Sequence, residues 1–383
     1  MKENLKSKLV IVFLLLVSSS VVSFAADDTV KKKIPKSAIP SALNVPRAPM
    51  SSPVIPQAGN QPSALTTKRP AADSSFKVGG QIFFRWQKYL LNGTVPNNFD
   101  IDRAYFEVFK KLERGAVARV TLDAARIPGA ARQNLFDYLK YAYFEMPLNR
   151  STDMVNVNAK LGMQQTIWID WTDKMLSLRW IAKSLTDNEN IMSSSDLGVS
   201  AYGKINLYNW PAIEYQASAM NGTGYATAET DSSKSLSLRL NSTLLENPQV
   251  GKFILGAYSN SESVNSTFNL GAGNHQAGIG IGFKHELRDI FFEYVTGTKS
   301  NASISGYSIG GVFKVLWPDL QIFARADSYD PDTSIDNDTR EKTFYGVIYD
   351  WSKDIRLSAD VQNAKVGNGA VTSAFYLHSL VNF

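Results

Sequence analysis

The chain has 383 residues, 44% of them hydrophobic and 20% charged, and no cysteine. That length allows one large domain or two ordinary ones, and the missing thiols exclude a disulfide framework, thiolate metal sites and a cysteine nucleophile. The net charge of +5 sits at one end: residues 26–75 hold seven basic residues against three acidic, and 1–25 three lysines against one glutamate, which leaves 76–383 at −1. That distribution argues against a nucleic-acid partner. Three histidines (His275, His285, His378) are too few and too scattered for a histidine metal site, and no cofactor is expected.

Residues 1–25 read as a secretory signal peptide. A lysine-bearing start precedes the apolar run Leu9–Val17, and Ser23-Phe24-Ala25 forms a small-residue exit. The run falls short of the ~20 residues that a spanning helix needs. Residues 26–75 carry eight prolines and no Phe, Tyr or Trp. Such a segment cannot build a core and reads as a disordered, extended basic linker on the periplasmic side. A contact with the cell wall through its basic residues is one use of it; a solvated spacer is the plainer one.

At Phe76 the texture changes to short runs that alternate apolar and polar residues with period 2, the strand signal. The pattern predicts sixteen strands: 76–90, 100–112, 115–125, 135–146, 153–162, 196–206, 212–220, 234–243, 251–260, 276–285, 289–298, 305–316, 319–328, 341–350, 354–363 and 374–383. Short connections at 113–114, 286–288, 317–318 and 351–353 alternate with longer ones at 91–99, 126–134, 221–233, 261–275, 329–340 and 364–373. Two unlike ends and an even strand count predict an all-β, 16-stranded antiparallel transmembrane β-barrel over 76–383, with short periplasmic turns and long outer loops. Closure leaves no unpaired backbone edge in lipid.

The faces separate along many strands. Val155/Val157/Ala159/Leu161, Leu197/Val199/Ala201, Leu236/Leu238/Leu240, Ala277/Ile279/Ile281/Phe283 and Ile355/Leu357/Ala359/Val361 are expected to meet outer-membrane lipid. Trp210, Trp317 and Trp351 fall at short turns, where an interfacial girdle belongs. The inward face is assigned twelve basic residues (Lys77, Arg85, Arg103, Arg119, Lys140, Lys160, Lys204, Arg239, Lys284, Lys314, Arg325, Arg356) against six acidic ones (Glu107, Asp123, Glu214, Glu293, Asp327, Asp360). A basic wall around water favours anions; the plainer alternative is that these charges pair and stiffen the lumen. The parity of 135–146 and 341–350 is ambiguous. Gly278, Gly280 and Gly282 alternate inward and read as room for a tight lumen.

The connection 163–195 has 33 residues and no period-2 pattern. Three Trp and many aliphatics require burial, and the nearest place is the inside of the barrel, with an outer lid or a subunit contact as the alternative. Trp168, Asp170, Trp171, Asp173, Lys174, Arg179 and Lys183 are therefore candidate constriction residues. Solute contact is assigned to Arg85, Arg103, Arg119, Lys160, Arg239, Arg325 and Arg356.

The chain ends Phe375-Tyr376-Leu377-His378-Ser379-Leu380-Val381-Asn382-Phe383. A terminal aromatic with Val381 two residues earlier resembles the signal read by the outer-membrane barrel assembly machinery of Gram-negative bacteria. The sixteen strands and the long third loop resemble general bacterial porins. More narrowly, Asp102-Arg103-Ala104-Tyr105-Phe106, Asp123, Gly162-Met163-Gln164 opening the long loop, Ser195-Asp196-Leu197-Gly198-Val199 and Asn221-Gly222 resemble the phosphate-selective porin O and P family. The family's Pro-Phe-Gly stretch is missing, with Gln165-Thr166-Ile167 in its place. The resemblance implies an outer-membrane, passive diffusion channel for small hydrophilic solutes with a mild anion preference, assembled as a homotrimer. The alternative is a plugged structural barrel that anchors the envelope through 26–75. No catalytic constellation is present in the sequence, so an enzyme is not expected.

Overall fold

The computed structural model describes residues 76–383, apart from 94–96, 127–134, 149–153, 230–231, 265–272, 316 and 318. The signal peptide expected over 1–25 and the linker over 26–75 lie outside the described residues. Sixteen strands follow in chain order: β1 (Phe76–Leu91), β2 (Asn98–Lys111), β3 (Val117–Arg126), β4 (Leu135–Pro147), β5 (Val155–Gln165), β6 (Ser195–Ile205), β7 (Ile213–Met220), β8 (Lys234–Asn247), β9 (Gly251–Val264), β10 (His275–His285), β11 (Arg288–Lys299), β12 (Ala302–Lys314), β13 (Leu320–Asp330), β14 (Arg340–Asp350), β15 (Ile355–Val366) and β16 (Thr372–Asn382). Each pairs with its sequence neighbours, and β1 closes the ring on β16. The strand ladder thus supplies backbone partners all around, as a lipid environment demands. No helix among the described residues is long and apolar enough to cross a membrane.

The expected strands are all present, with shifted ends. Gly162, Met163 and Gln164 belong to β5 and do not open the long loop, which runs over 166–194. The alternation of long and short connections fails once. β11 and β12 are joined through Ser300-Asn301, both at positive φ (52° and 67°), the geometry of a tight two-residue hairpin turn.

The outward alternation holds: Leu197 and Val199 are 45% and 50% exposed on the outer wall. Register shifts break it elsewhere, two of them on the β1–β4 wall. Between β3 and β4, Thr121 pairs with Tyr141 and Leu122 with Leu139, so Lys140 is an extra residue. Lys140 and Tyr141 consequently both reach the lumen, which is why no single parity fits 135–146. Between β1 and β2, Phe83 pairs with Arg103 and Phe84 with Ile101, leaving Asp102 as the extra residue.

At the seam the backbones of Gly80 and Phe383 exchange two hydrogen bonds, 2.9 and 3.1 Å. The Phe383 ring lies against Gly80, where a Cβ would come within 2.4 Å of it. Val381 pairs with Ile82 and Ile355.

The buried apolar cores lie inside the ring. Loop 166–194 folds inward and carries α1 (Ile169–Leu176) and the single turn α2 (Leu185–Asn188). One cluster joins Trp168, Trp171, Met175 and Leu185 to Tyr258, Phe291, Val295 and Ile304. The other joins Leu178, Trp180 and Ile181 to Phe83, Tyr105, Phe344, Ile348 and Leu380.

Candidate functional site: the lumen around the third loop

Glycines make the space that the loop fills. Gly256 and Gly280 face each other across β9 and β10. A Cβ on either would lie 2.5 or 2.6 Å from the Trp171 indole. The alternating glycines of β10 thus accept a tryptophan against bare backbone. Trp168 stacks between Trp171 (4.7 Å) and Tyr258 (4.5 Å). α1 stops at Ser177, whose left-handed backbone (φ 56°) returns its N–H to the Asp173 carbonyl.

Polar staples from the wall hold the loop at several points. Glu293 on β11 accepts from Trp168 Nε1 (2.7 Å) and from Thr186 Oγ1. Lys284 on β10 donates to the carbonyls of Lys174 and Met175 at the end of α1, 2.9 and 3.0 Å. Lys299 on β11 does the same for Glu189 and Asn190 just after α2, 3.0 and 2.6 Å. A cation at the last carbonyls of a helical turn meets orphan acceptors. Glu189 itself pairs with Arg340 (3.1 Å) and Lys342 (2.7 Å) of β14.

The candidate constriction residues all lie on the inward-folded loop. Arg179 bridges Asp173 (2.6 Å) and Asp187 (2.8 Å), and Lys183 stands 3.7 Å from Asp187. Burial pushes the Asp187 carboxyl up, but Arg179 and Lys183 outweigh it and hold the group below its ordinary value. Burial raises Asp173 above its ordinary value and lowers Lys183 below its own. Asp170 pairs with Lys174 at 2.6 Å. Trp168 and Trp171 face the wall and serve as anchors.

The basic residues of the wall are largely neutralised. Arg85 pairs with Asp102 (3.0 Å) and Asp100 (3.7 Å), Arg103 with Asp123, Arg119 with Glu107 and Lys160 with Glu145 (3.5 Å). Arg325 pairs with Asp327 (2.5 Å) and Arg356 with Asp350 (2.7 Å). Arg239 instead donates to the Ile167 carbonyl (2.5 Å) and Asn241 (3.1 Å). The expected excess of inward bases is thereby corrected: Asp100, Asp102, Glu145 and Asp350, and Asp289 beside Lys284 (3.2 Å), also serve the lumen wall. Bulges and pairing with residues near the turns place them there.

Asp123 is the hub of the β2–β4 wall. Fully buried, it receives Arg103, Lys140 (3.5 Å) and Tyr225 (3.2 Å). Lys140 also reaches Tyr105 Oη at 3.1 Å and lies over the Tyr105 and Tyr225 rings, 4.8 and 5.3 Å from their centres. Tyr225 comes from the β7–β8 connection, and no periodic signal marks it. Lys299, Glu189 and Lys342 were likewise outside the expected site.

Two cavities flank the loop. One of about 370 Å³ opens on the turn side and is lined by Arg119, Lys140, Asp170, Asp173, Arg179 and Trp180, among others. One of about 380 Å³ lies on the loop side, between Arg103, Lys183, Asp187, Tyr225 and Lys299. Ser194 borders both. Arg325 is buried beneath the loop, with Nη1 3.4 Å from the Ala182 carbonyl.

No family model matches the chain, and no curated protein matches it. Solved structures do. OprB of Pseudomonas putida superposes with a TM-score of 0.58 at 10% identity, over 80% of this chain and 94% of that one. The anion-selective porin from Comamonas acidovorans and a variant of the Rh. blastica porin each give 0.53 at 12% identity, over 81% of this chain and all of theirs. These likenesses carry the 16-stranded porin fold; they do not carry the narrower resemblance to phosphate-selective porins.

Proposed function

We propose that the chain is an outer-membrane porin: a water-filled channel that passes small hydrophilic solutes by diffusion, with a mild preference for anions. The observation behind this reading is a pair of polar, ion-lined cavities, one on each side of the loop, that share Ser194 as a lining residue. The anion preference rests on the wall around Asp123, where Arg103 and Lys140 share a single carboxylate. Cations outnumber carboxylates five to three on the turn-side cavity. The smooth apolar outer wall suits outer-membrane lipid, a trimeric assembly of this chain, and insertion guided by Val381 and Phe383.

Purified protein in a planar bilayer under a KCl gradient tests the reading. Discrete conductance steps with a chloride-leaning reversal potential are expected. Cation selectivity would discard the anion preference and keep the channel. Absence of conductance would favour the second reading, a plugged barrel that anchors the envelope through 26–75. That reading draws on the two apolar clusters that bind the loop to the wall.

A further inference from the structure

We infer that Tyr225 closes the passage between the two cavities, so that its ring, and not the third loop alone, sets the aperture and the size of solute that crosses. The inference deepens the channel reading and rests on it. Tyr225 stands on 221–229, a strap between β7 and β8. Gly222 and Gly224 turn the strap inward at φ 99° and 77°, values that a residue with a Cβ rarely adopts. Asp196, at the start of β6, accepts the Gly222 N–H through Oδ2 at 2.6 Å. Gly224 is buried against the end of the third loop, where an added Cβ would lie 2.6 Å from Ser193 Oγ. The strap is thus fixed one residue before Tyr225, and the tyrosine reaches the β2–β4 wall.

At that wall Tyr225 donates to Asp123 Oδ2 and accepts from Arg103 Nη1, each across 3.2 Å. Its ring stands edge-on to Tyr138 (5.8 Å), with the Lys140 ammonium 5.3 Å from its centre. Tyr225 and Arg103 line the loop-side cavity, and Lys140 lines the turn-side one. The ring therefore meets, on its far side, a residue of the other cavity. On the third loop Arg179 and Asp187 form a similar partition, one in each cavity and 2.8 Å apart. The two partitions differ in what holds them. The third loop is anchored by two apolar clusters, and no residue of 221–229 belongs to either. Tyr225 is half-buried, and Ala226, Thr227 and Ala228 beyond it are exposed. With fewer buried apolar contacts, the strap yields before the loop does.

The plainer role for Tyr225 is to satisfy the buried Asp123 carboxylate with its hydroxyl. The two roles reside in different atoms: closure belongs to the ring, and satisfaction to the hydroxyl. Tyr225→Phe removes only the second.

Planar-bilayer recordings of the full chain and its Tyr225 variants test the inference. Tyr225→Ala is expected to raise single-channel conductance about twofold, because the ring takes up cross-section where the route is narrow. Tyr225→Phe should stay at the native level. The chain has no cysteine, so Tyr225→Cys adds a single thiol and keeps the test open where Tyr225→Ala does not fold. It should conduct like the alanine variant. A methanethiosulfonate bearing a trimethylammonium group should then return the current toward the native level and move the reversal potential toward chloride; one bearing a sulfonate should move it toward potassium. Native conductance in folded Tyr225→Ala or Tyr225→Cys overturns the inference. So does an equal rise in Tyr225→Phe, which assigns the effect to the hydroxyl, and so does a thiol that reacts without changing the current. Silence from the native chain and every variant alike overturns the channel reading and the inference with it, whereas a native chain that conducts puts any failure on Tyr225 alone.

Discussion

Trp168 donates its indole N–H to Glu293 across 2.7 Å, with both side chains sealed inside the barrel. Thr186, on the returning limb of the loop, donates to the same oxygen. One strand carboxylate therefore ties together the two limbs of the segment that narrows the lumen. Glu293→Ala would strand two buried donors, at a cost of about 1–3 kcal/mol each. Glu293→Gln keeps a carbonyl oxygen for both. The alanine variant is expected to lose its compact form on unheated gels at a lower temperature and to give noisier single-channel currents. The glutamine variant should stay close to native in both. Identical traces from the two variants would remove Glu293 as the staple.

The seat of Trp171 makes a second prediction. Gly256→Val puts methyl groups where the indole lies. Overpacking of this kind typically costs about 1–3 kcal/mol, and here it should also unseat α1. Trp171→Ala in the same chain vacates the space, so the double variant should recover part of the lost stability. Thermal unfolding of both single variants and the double variant gives the coupling. Strict additivity would show that the glycine and the indole do not share one site.

How much of this was legible depended on what faced each strand. β10 was readable because Ala277, Ile279, Ile281 and Phe283 face outward while glycines face inward. β14 was not, because Phe344 and Ile348 are apolar and inward beneath the loop, which leaves both faces apolar. β4 was not, because the bulge at Lys140 changes parity within the strand. The apolar content of 166–194 demanded burial in the lumen, and the inward glycines of β10 marked the space it takes. The charge count misled because the partners of Arg85, Lys160 and Arg356 come from a bulge, a neighbouring strand of unsettled parity and a strand end. Tyr225 reaches Asp123 across 102 positions, a distance over which local periodicity carries no information.

The loop's grip should also depend on pH in a defined window. Burial pushes Asp187 up, but Arg179 and Lys183, with Lys140 and Arg103 behind them, hold its carboxyl below the ordinary value. A carboxyl held low by folding adds stability above its unfolded pKa, near ~3.9, and loses it as pH falls through the lower folded value. Asp173 has the opposite sign: burial raises it, so ionisation costs stability and protonation on acidification relieves that cost. Arg179 thus keeps Asp187 after Asp173 has taken up its proton. Loss of the Asp187 contribution is expected to change single-channel conductance as pH falls below about 4. A transition already complete near pH 6 would place control of the loop in other groups.

Asp123 offers the sharpest test of the charge on the wall. Its Oδ2 receives Arg103, Lys140 and Tyr225, so two cations depend on one carboxylate. Asp123→Asn removes the counter-charge and leaves both cations in place. Breaking a buried pair in this way costs about 3–5 kcal/mol, so the variant should unfold at a lower temperature. If the wall sets selectivity, the surviving positive charge should also move the reversal potential toward chloride. Arg103→Gln removes one cation, leaves Lys140 with Asp123, and should move it toward potassium. Both shifts should shrink as salt rises, because screening shortens the reach of the field. Opposite displacements from the two variants are the required result. Shifts of the same sign, or none in either, would mean that ions pass without sensing this network.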